Sequence, residues 1–253
     1  MSFAIIICVH SFPKLLSLQL ENFRRFVKSP YKVFVVDDSV NGFFPEGLTL
    51  YPEATIIRFT HEGEPSQKHQ WNLNAGIQMA GIHDCFRYLL MDNDMFFLDD
   101  FVEPSRNTYF GRNVGQSEVM WANLLYVCND ATQIFPLDFA KCPVEKVWGD
   151  TGSSTMFYLQ QKKSECLEIE DLTQQAPKHL PDWFNDMAVL CRQFKIREWE
   201  EGQYDLLSIN GTRVFHFRQM SNWARYEHDF IKCKEALVLH YAEKINESGR
   251  EMP

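Results

Sequence analysis

Asp92 and Asp94 stand two residues apart in Asp92-Asn93-Asp94, between the apolar runs Tyr88-Leu89-Leu90-Met91 and Met95-Phe96-Phe97-Leu98. Residues two apart on extended chain face the same side, so both carboxylates leave the end of a buried strand together. Two carboxylates beside an apolar core are costly unless a cation pairs them. A hard divalent ion, Mg²⁺ or Mn²⁺, does this and keeps positions open for the phosphate oxygens of a ligand. The expected chemistry is metal-assisted binding of a phosphate-bearing ligand.

Other residues with usable chemistry stand at similar places. Asp37-Asp38 closes the run Val33 to Val36, and His10 closes Phe3 to Val9. Val147-Trp148-Gly149-Asp150-Thr151-Gly152-Ser153-Ser154 is small and polar, suited to close approach by a ligand, ahead of an expected strand at Thr155 to Leu159. Pro181-Asp182-Trp183-Phe184-Asn185-Asp186 reads as a helix start, with Met187, Leu190 and Phe194 on its buried side. Asp182 is a good N-cap, and Asp186 shares its face four residues on. Val214-Phe215-His216-Phe217-Arg218 sets a His and an Arg in a short apolar strand, and Arg218 has the geometry to bind phosphate.

The elements that must position these groups alternate in the first hundred residues. Phe3 to Val9 reads as a strand buried on both faces. Ser11 is placed to cap a helix starting at Phe12-Pro13 and running to Val27 on the face Leu15, Leu16, Leu18, Leu20, Phe23 and Phe26. Strands follow at Tyr31 to Val36 and Ala54 to Phe59. A helix over Pro65 to Ala80 has Gly81 just past its end, and Phe86 to Met91 is the strand that delivers the aspartates. Such alternation implies right-handed crossovers and a mostly parallel sheet, whose ligands bind beyond the carboxyl ends of the strands. His10, Asp37, Asp38 and Asp92 all fall at those ends. The tail from Trp223 to Ile245 is amphipathic and reads as a packed helix.

Composition removes several classes. A net charge of −9 over 253 residues, with a pI near 5.4, is unlike the basic face that nucleic acid needs. The seven cysteines are irregularly spaced and include no Cys-x-x-Cys pair, so neither a disulfide framework nor a zinc site is expected. Reduced thiols in a cytoplasmic protein are the expectation. No run reaches the roughly 20 apolar residues of a transmembrane helix, and the first strand lacks the features of a signal peptide. Asn210-Gly211-Thr212 and Asn246-Glu247-Ser248 match the glycosylation pattern without a secretory context. No Gly-rich phosphate loop follows the first strand, which leaves phosphate to a metal and isolated side chains.

Together these residues resemble the GT-A glycosyltransferases of the nucleotide-diphospho-sugar transferase superfamily, family 2 in particular. Ile6-Ile7-Cys8-Val9-His10 with its Leu-rich helix resembles their opening strand and helix. Val35-Val36-Asp37-Asp38-Ser39 is similar to their nucleoside-contacting segment, Asn74-Ala75-Gly76-Ile77 to their Asn-x-Gly helix, and Asp92-Asn93-Asp94 to their Asp-x-Asp metal motif. The resemblance covers residues 1–100 well and thins afterwards. It implies an α/β, Rossmann-like GT-A fold, one compact domain with a sugar-nucleotide half at 1–100 and an acceptor half at 101–253. It implies Mn²⁺ or Mg²⁺, a UDP- or GDP-sugar donor, and a hydroxyl acceptor on a glycan, lipid-linked molecule or protein. Asp37 or Asp38 and His10 would meet the nucleoside, and Lys68 and Asn74 the diphosphate or sugar. Asp92 and Asn93 would lie against the ribose or the metal shell, with Asp94 on the metal. His216 would complete that shell, as a late His does in several GT-A families. Asp186 matches the general base of inverting enzymes, although Asn185 stands where that family has Glu. Asp150 and Asp182 are the substitutes for Asp186.

Two alternatives stay open. Asp92 to Asp100 also resembles the Asp-x-Asp stretch of family 8 enzymes, which retain configuration, and His216-Phe217 with Trp223 resembles their C-terminal His-Phe and Trp. A non-catalytic protein that binds nucleotide sugar would keep the pocket without a base. A nucleotidyltransferase would want a Gly-rich loop with Arg where this chain has His10-Ser11-Phe12-Pro13, and a phosphotransfer receiver is half this length.

Overall fold

The computed structural model describes residues 2–10, 14–39, 46–128, 137–144, 147–149, 151–175, 180, 183–184, 204–217 and 228–248. In chain order the elements begin with β1 (Phe3–Val9), α1 (Leu15–Phe26), β2 (Tyr31–Asp37), α2 (Glu46–Leu50), β3 (Ala54–Arg58) and α3 (Pro65–Ile82). Next come β4 (Arg87–Met91), β5 (Met95–Phe97), β6 (Thr108–Val114), β7 (Ser117–Cys128), β8 (Pro143–Val144), β9 (Val147–Trp148) and α4 (Thr155–Lys162). The last are β10 (Leu167–Glu168), β11 (Glu170–Asp171), β12 (Tyr204–Ile209), β13 (Thr212–Phe217) and α5 (His228–Ser248). Two compact units share the chain: Met1–His10, Ser29–Asn93 and Val102–Ile169 form the first, and Ser11–Lys28, Asp94–Phe101 and Glu170–Pro253 the second.

The first unit is built on a seven-stranded sheet in the order β10-β6-β7-β4-β1-β2-β3. β1 pairs in parallel with β2 and β4, β2 with β3, and β10 with β6, whereas β7 runs antiparallel to β4 and β6. This is the expected α/β class with a mostly parallel sheet. The continuous apolar run of β1 follows from its central place, where Phe3, Ala4, Ile5, Ile6, Ile7 and Val9 are fully buried. α3 packs on β1 and β2 through Gly76, where a Cβ would come within 2.4 Å of Ile6 Cγ2. The Gly of the Asn74-Ala75-Gly76 segment is therefore a packing requirement.

Two expected elements differ from those observed. Thr155 to Leu159 is not a strand but opens α4. Thr155, Tyr158, Leu159 and Lys162 bury at helical spacing while Phe157 is exposed, so the run has period 3.6, not 2. Gly152, at φ +85°, makes the turn into it. α3 also continues through Gly81 to Ile82, and the left-handed residue beyond it is Asp84, at φ 57°. Ser11 lies outside the described residues, and Lys14 at the N-cap of α1 makes no side-chain capping bond. Of the expected tail helix, His228 to Ile245 lies within α5, and residues 223–227 lie outside the described ones.

The second unit holds the four-stranded antiparallel sheet β11-β12-β13-β5, and its core includes Leu15 of α1, Phe96, Leu206, Phe215 and Tyr241 of α5. α1 buries Gln19 and Asn22 beside its apolar residues. Asn22 donates to Phe97 O at 3.0 Å and accepts from Phe97 N at 2.8 Å, and Gln19 donates to Met95 O at 3.0 Å. α1 thus satisfies the backbone of the edge strand β5, whose first residue follows Asp94. Among the described residues no helix is long and apolar enough to cross a membrane.

Candidate metal centre

β4 ends at Met91, and Asp92-Asn93-Asp94 is the turn that follows it. Asp92 stays in register with β7 by donating its backbone N–H to Asn123 O at 3.0 Å. The Asn123 amide donates in turn to Asp92 Oδ2. Asn93 is partly buried in the same turn, and Asp94 is only 3% exposed. The Asp94 carbonyl accepts from Phe217 N at 3.0 Å, which ties the turn to β13.

His216 arrives from β13, where it pairs with Met95 across the β5 ladder. Its Nε2 lies 3.4 Å from Asp94 Oδ1, yet that buried oxygen has no hydrogen-bond partner. Its Nδ1 lies 2.8 Å from Asp205 Oδ2. One ligand atom from each of Asp92, Asp94 and His216 falls within 4.8 Å of the others. A cation held at about 2.1 Å sets adjacent ligand atoms about 3 Å apart and opposite ones about 4.2 Å apart. The 3.4 Å between His216 Nε2 and Asp94 Oδ1 is close to the spacing of adjacent ligands, and the 4.8 Å limit on the group lies somewhat above that of opposite ones. Two carboxylates and an imidazole form a donor set able to hold a divalent cation, and the unsatisfied Asp94 oxygen is one that a cation would satisfy. The residues fit a divalent ion.

The carboxyl ends of β1 and β2 carry a second polar group. Asp37 is fully buried and bound by Arg58 at 2.9 Å and by Ser39 N–H at 2.9 Å. Asp38 faces the other way, with its Oδ1 2.6 Å from His10 Nδ1 and its Oδ2 accepting from Asn72 at 2.8 Å. The hydrogen bond to Asp38 raises the His10 pKa against burial and the nearby charge of Lys68. Burial pushes the Asp38 pKa up, but the bonds from His10 and Asn72 outweigh it and hold the carboxyl below its ordinary range. The Cys8 thiol is pushed up by burial and then by the charges of Asp92 and Asp38, which keeps it protonated and unreactive. Asn74 donates to Asp138 at 2.7 Å and accepts from Phe139 N at 3.3 Å, joining α3 to the chain after residue 136.

The structure therefore groups Asp92, Asp94 and His216, and separately His10 with Asp38. It places Asp37 and Asn74 in structural hydrogen bonds. Asp150, Asp182, Asp186 and Arg218 lie outside the described residues. Asn72, Arg58, Asn123 and Asp205 were not singled out from the sequence. Asp205 had a signal. Asn210 and Gly211 form a two-residue hairpin turn with φ 51° and 84°. Counting five residues outward from each pairs Asp205 with His216.

Fold and site together define an α/β protein with a candidate divalent-cation centre after a sheet strand. No family model and no curated protein matches the chain. Solved structures that it resembles include S. aureus TarS 1-349, at 18% identity over 46% of this chain and 39% of that one, with a TM-score of 0.33. The galactosyltransferase LgtC, in complex with donor and acceptor sugar analogs, gives 10% identity over 50% of this chain and 58% of that one, with a TM-score of 0.35. The apo-form glycosyltransferase GlyE of Streptococcus pneumoniae gives 11% over 98% of this chain and 63% of that one, with a TM-score of 0.43. The chain spans less than two thirds of the length of each. Likenesses this loose assign neither family nor activity.

Proposed function

We propose that the chain is a metal-dependent glycosyltransferase of the GT-A type, moving a sugar from a UDP- or GDP-sugar to a hydroxyl acceptor. The observation that carries this reading is the clustering of Asp92, Asp94 and His216 ligand atoms within 4.8 Å, with a buried Asp94 oxygen that has no hydrogen bond. Asp92, Asp94 and His216 would hold Mn²⁺ or Mg²⁺. A cation there would supply positive charge for the departing diphosphate. That charge matters in a chain of net charge −9 that has no Gly-rich phosphate loop.

The remaining roles belong to side chains. His10, oriented by Asp38, is the polar group that β1 offers a nucleoside, and Lys68 a charge for the diphosphate. Residues 1–100 would supply most donor contacts and residues 101–253 the acceptor contacts. In an inverting displacement the acceptor oxygen bonds to the anomeric carbon as the bond from that carbon to the diphosphate oxygen breaks. The electron pair of the broken bond leaves with the diphosphate, and the acceptor's proton passes to the Asp186 carboxylate.

The test is a transfer assay with UDP- and GDP-sugars, Mn²⁺ and a panel of hydroxyl acceptors, read by the anomeric configuration of the product. Inversion is expected, and Asp186→Asn should slow transfer by about a hundredfold with nucleotide binding intact. A product of retained configuration would replace this mechanism with a family 8-like one. Donor binding with neither transfer nor hydrolysis would make the chain a binding protein.

A further inference from the structure

We infer that Asp205 is a positioning residue for the metal centre, holding His216 in the one tautomer and orientation that presents Nε2 to a divalent cation. The inference rests on the metal-site reading above and adds a residue to it. Asp205 and His216 are directly opposed on β12 and β13, so their side chains share a face of the hairpin. Asp205 is 5% exposed and His216 4%. A carboxylate buried that deeply in a strand of Leu206, Leu207 and Ile209 is costly unless it is used. Its Oδ2 sits 2.8 Å from Nδ1, while the other ring nitrogen, Nε2, is directed toward Asp94 Oδ1 at 3.4 Å.

A carboxylate only accepts hydrogen bonds, so the Asp205 contact puts the proton on Nδ1. The lone pair of the neutral ring then lies on Nε2, on the side of Asp94. Asp205 meets the opposite nitrogen and so acts through His216, not as a ligand itself. A ligating imidazole anchored through its second nitrogen binds metal better because its ring is pre-oriented and more basic. The register gives a further control. The Asn210-Gly211 turn fixes which residue opposes His216, and a one-residue slip would turn Asp205 to the other face.

The experiment is a Mn²⁺ titration followed by electron paramagnetic resonance. It uses the full chain as wild type, Asp205→Ala, Asp205→Asn, His216→Ala and the Asp205→Ala/His216→Ala double variant, with melts in EDTA to check folding. Asp205→Ala should weaken Mn²⁺ binding by about 10- to 100-fold, the usual effect of removing such an anchor. Asp205→Asn keeps an acceptor for the Nδ1 proton and a similar shape, so it should lose less affinity than Asp205→Ala. The double variant should bind no more weakly than His216→Ala alone. A purely structural Asp205 would lower melting temperatures and leave the Mn²⁺ affinity of every folded variant at the wild-type value, which overturns the inference. Weakened binding in His216→Ala with wild-type affinity in both Asp205 variants also overturns it, while the metal-site reading stands. A wild-type chain that binds no Mn²⁺ removes that reading and this inference together.

Discussion

Asp37 and Asp38 are neighbours in sequence with opposite chemistry. Asp37 is neutralised by Arg58 inside the fold, whereas Asp38 is spent on orienting His10, whose ring is 38% exposed. The couple has a definite pH signature. Its raised imidazole contributes stability that is fully present below 6.5, the ordinary His value, and is lost as pH rises through the folded value. Its lowered carboxyl contributes stability that is present above 3.8 and is lost as pH falls through the folded value. The contribution is therefore complete between those ordinary values and fades on either side. His10→Ala should cost up to about 1 kcal/mol at about pH 5, discounted for the exposed ring, and less in alkaline buffer, where only the neutral ring's hydrogen bond to Asp38 remains to be lost. Urea melts across pH check this, and an offset independent of pH would refute it.

At the scale of elements, the turn that carries Asp94 is held in place by its neighbours. β13 pairs with β5 on one side, and Asn22 and Gln19 of α1 satisfy the backbone of β5. Asn22→Leu should cost about 2–4 kcal/mol, because it leaves both polar backbone groups of Phe97 buried without partners. Denaturant unfolding would show it, and a loss below about half a kcal/mol would show that water replaces the amide. These clamps were hard to read in the sequence. Gln19 and Asn22 stand within an apolar helical stripe, and nothing local says which carbonyl they will meet. The alternation of β1 to β4 was legible because buried parallel strands are continuous apolar runs with turn residues at their ends. Thr155 to Leu159 misled because five residues are too few to separate period 2 from period 3.6. The Asp205–His216 pair needed only the Asn-Gly hairpin, whose Asn-Gly-Thr triplet also matches a glycosylation pattern.

At the scale of the whole molecule, charge decides what the centre must do. A chain of net charge −9 meets a nucleoside diphosphate with repulsion, and no Gly-rich loop offers it a row of amides. The carboxylates of Asp92 and Asp94 add to that repulsion until a divalent cation cancels their charge and offers the phosphates a direct ligand position. Donor binding should consequently depend on metal, and Asp94 should be essential to that dependence. Calorimetric titration of UDP- and GDP-sugars into the wild-type chain and Asp94→Asn, with Mn²⁺ and with EDTA, measures this directly. Binding by the wild type with Mn²⁺ is expected, with little or none in EDTA and a loss of about 1–3 kcal/mol for Asp94→Asn with Mn²⁺. Equal donor affinity in Mn²⁺ and EDTA, unchanged by Asp94→Asn, would contradict it.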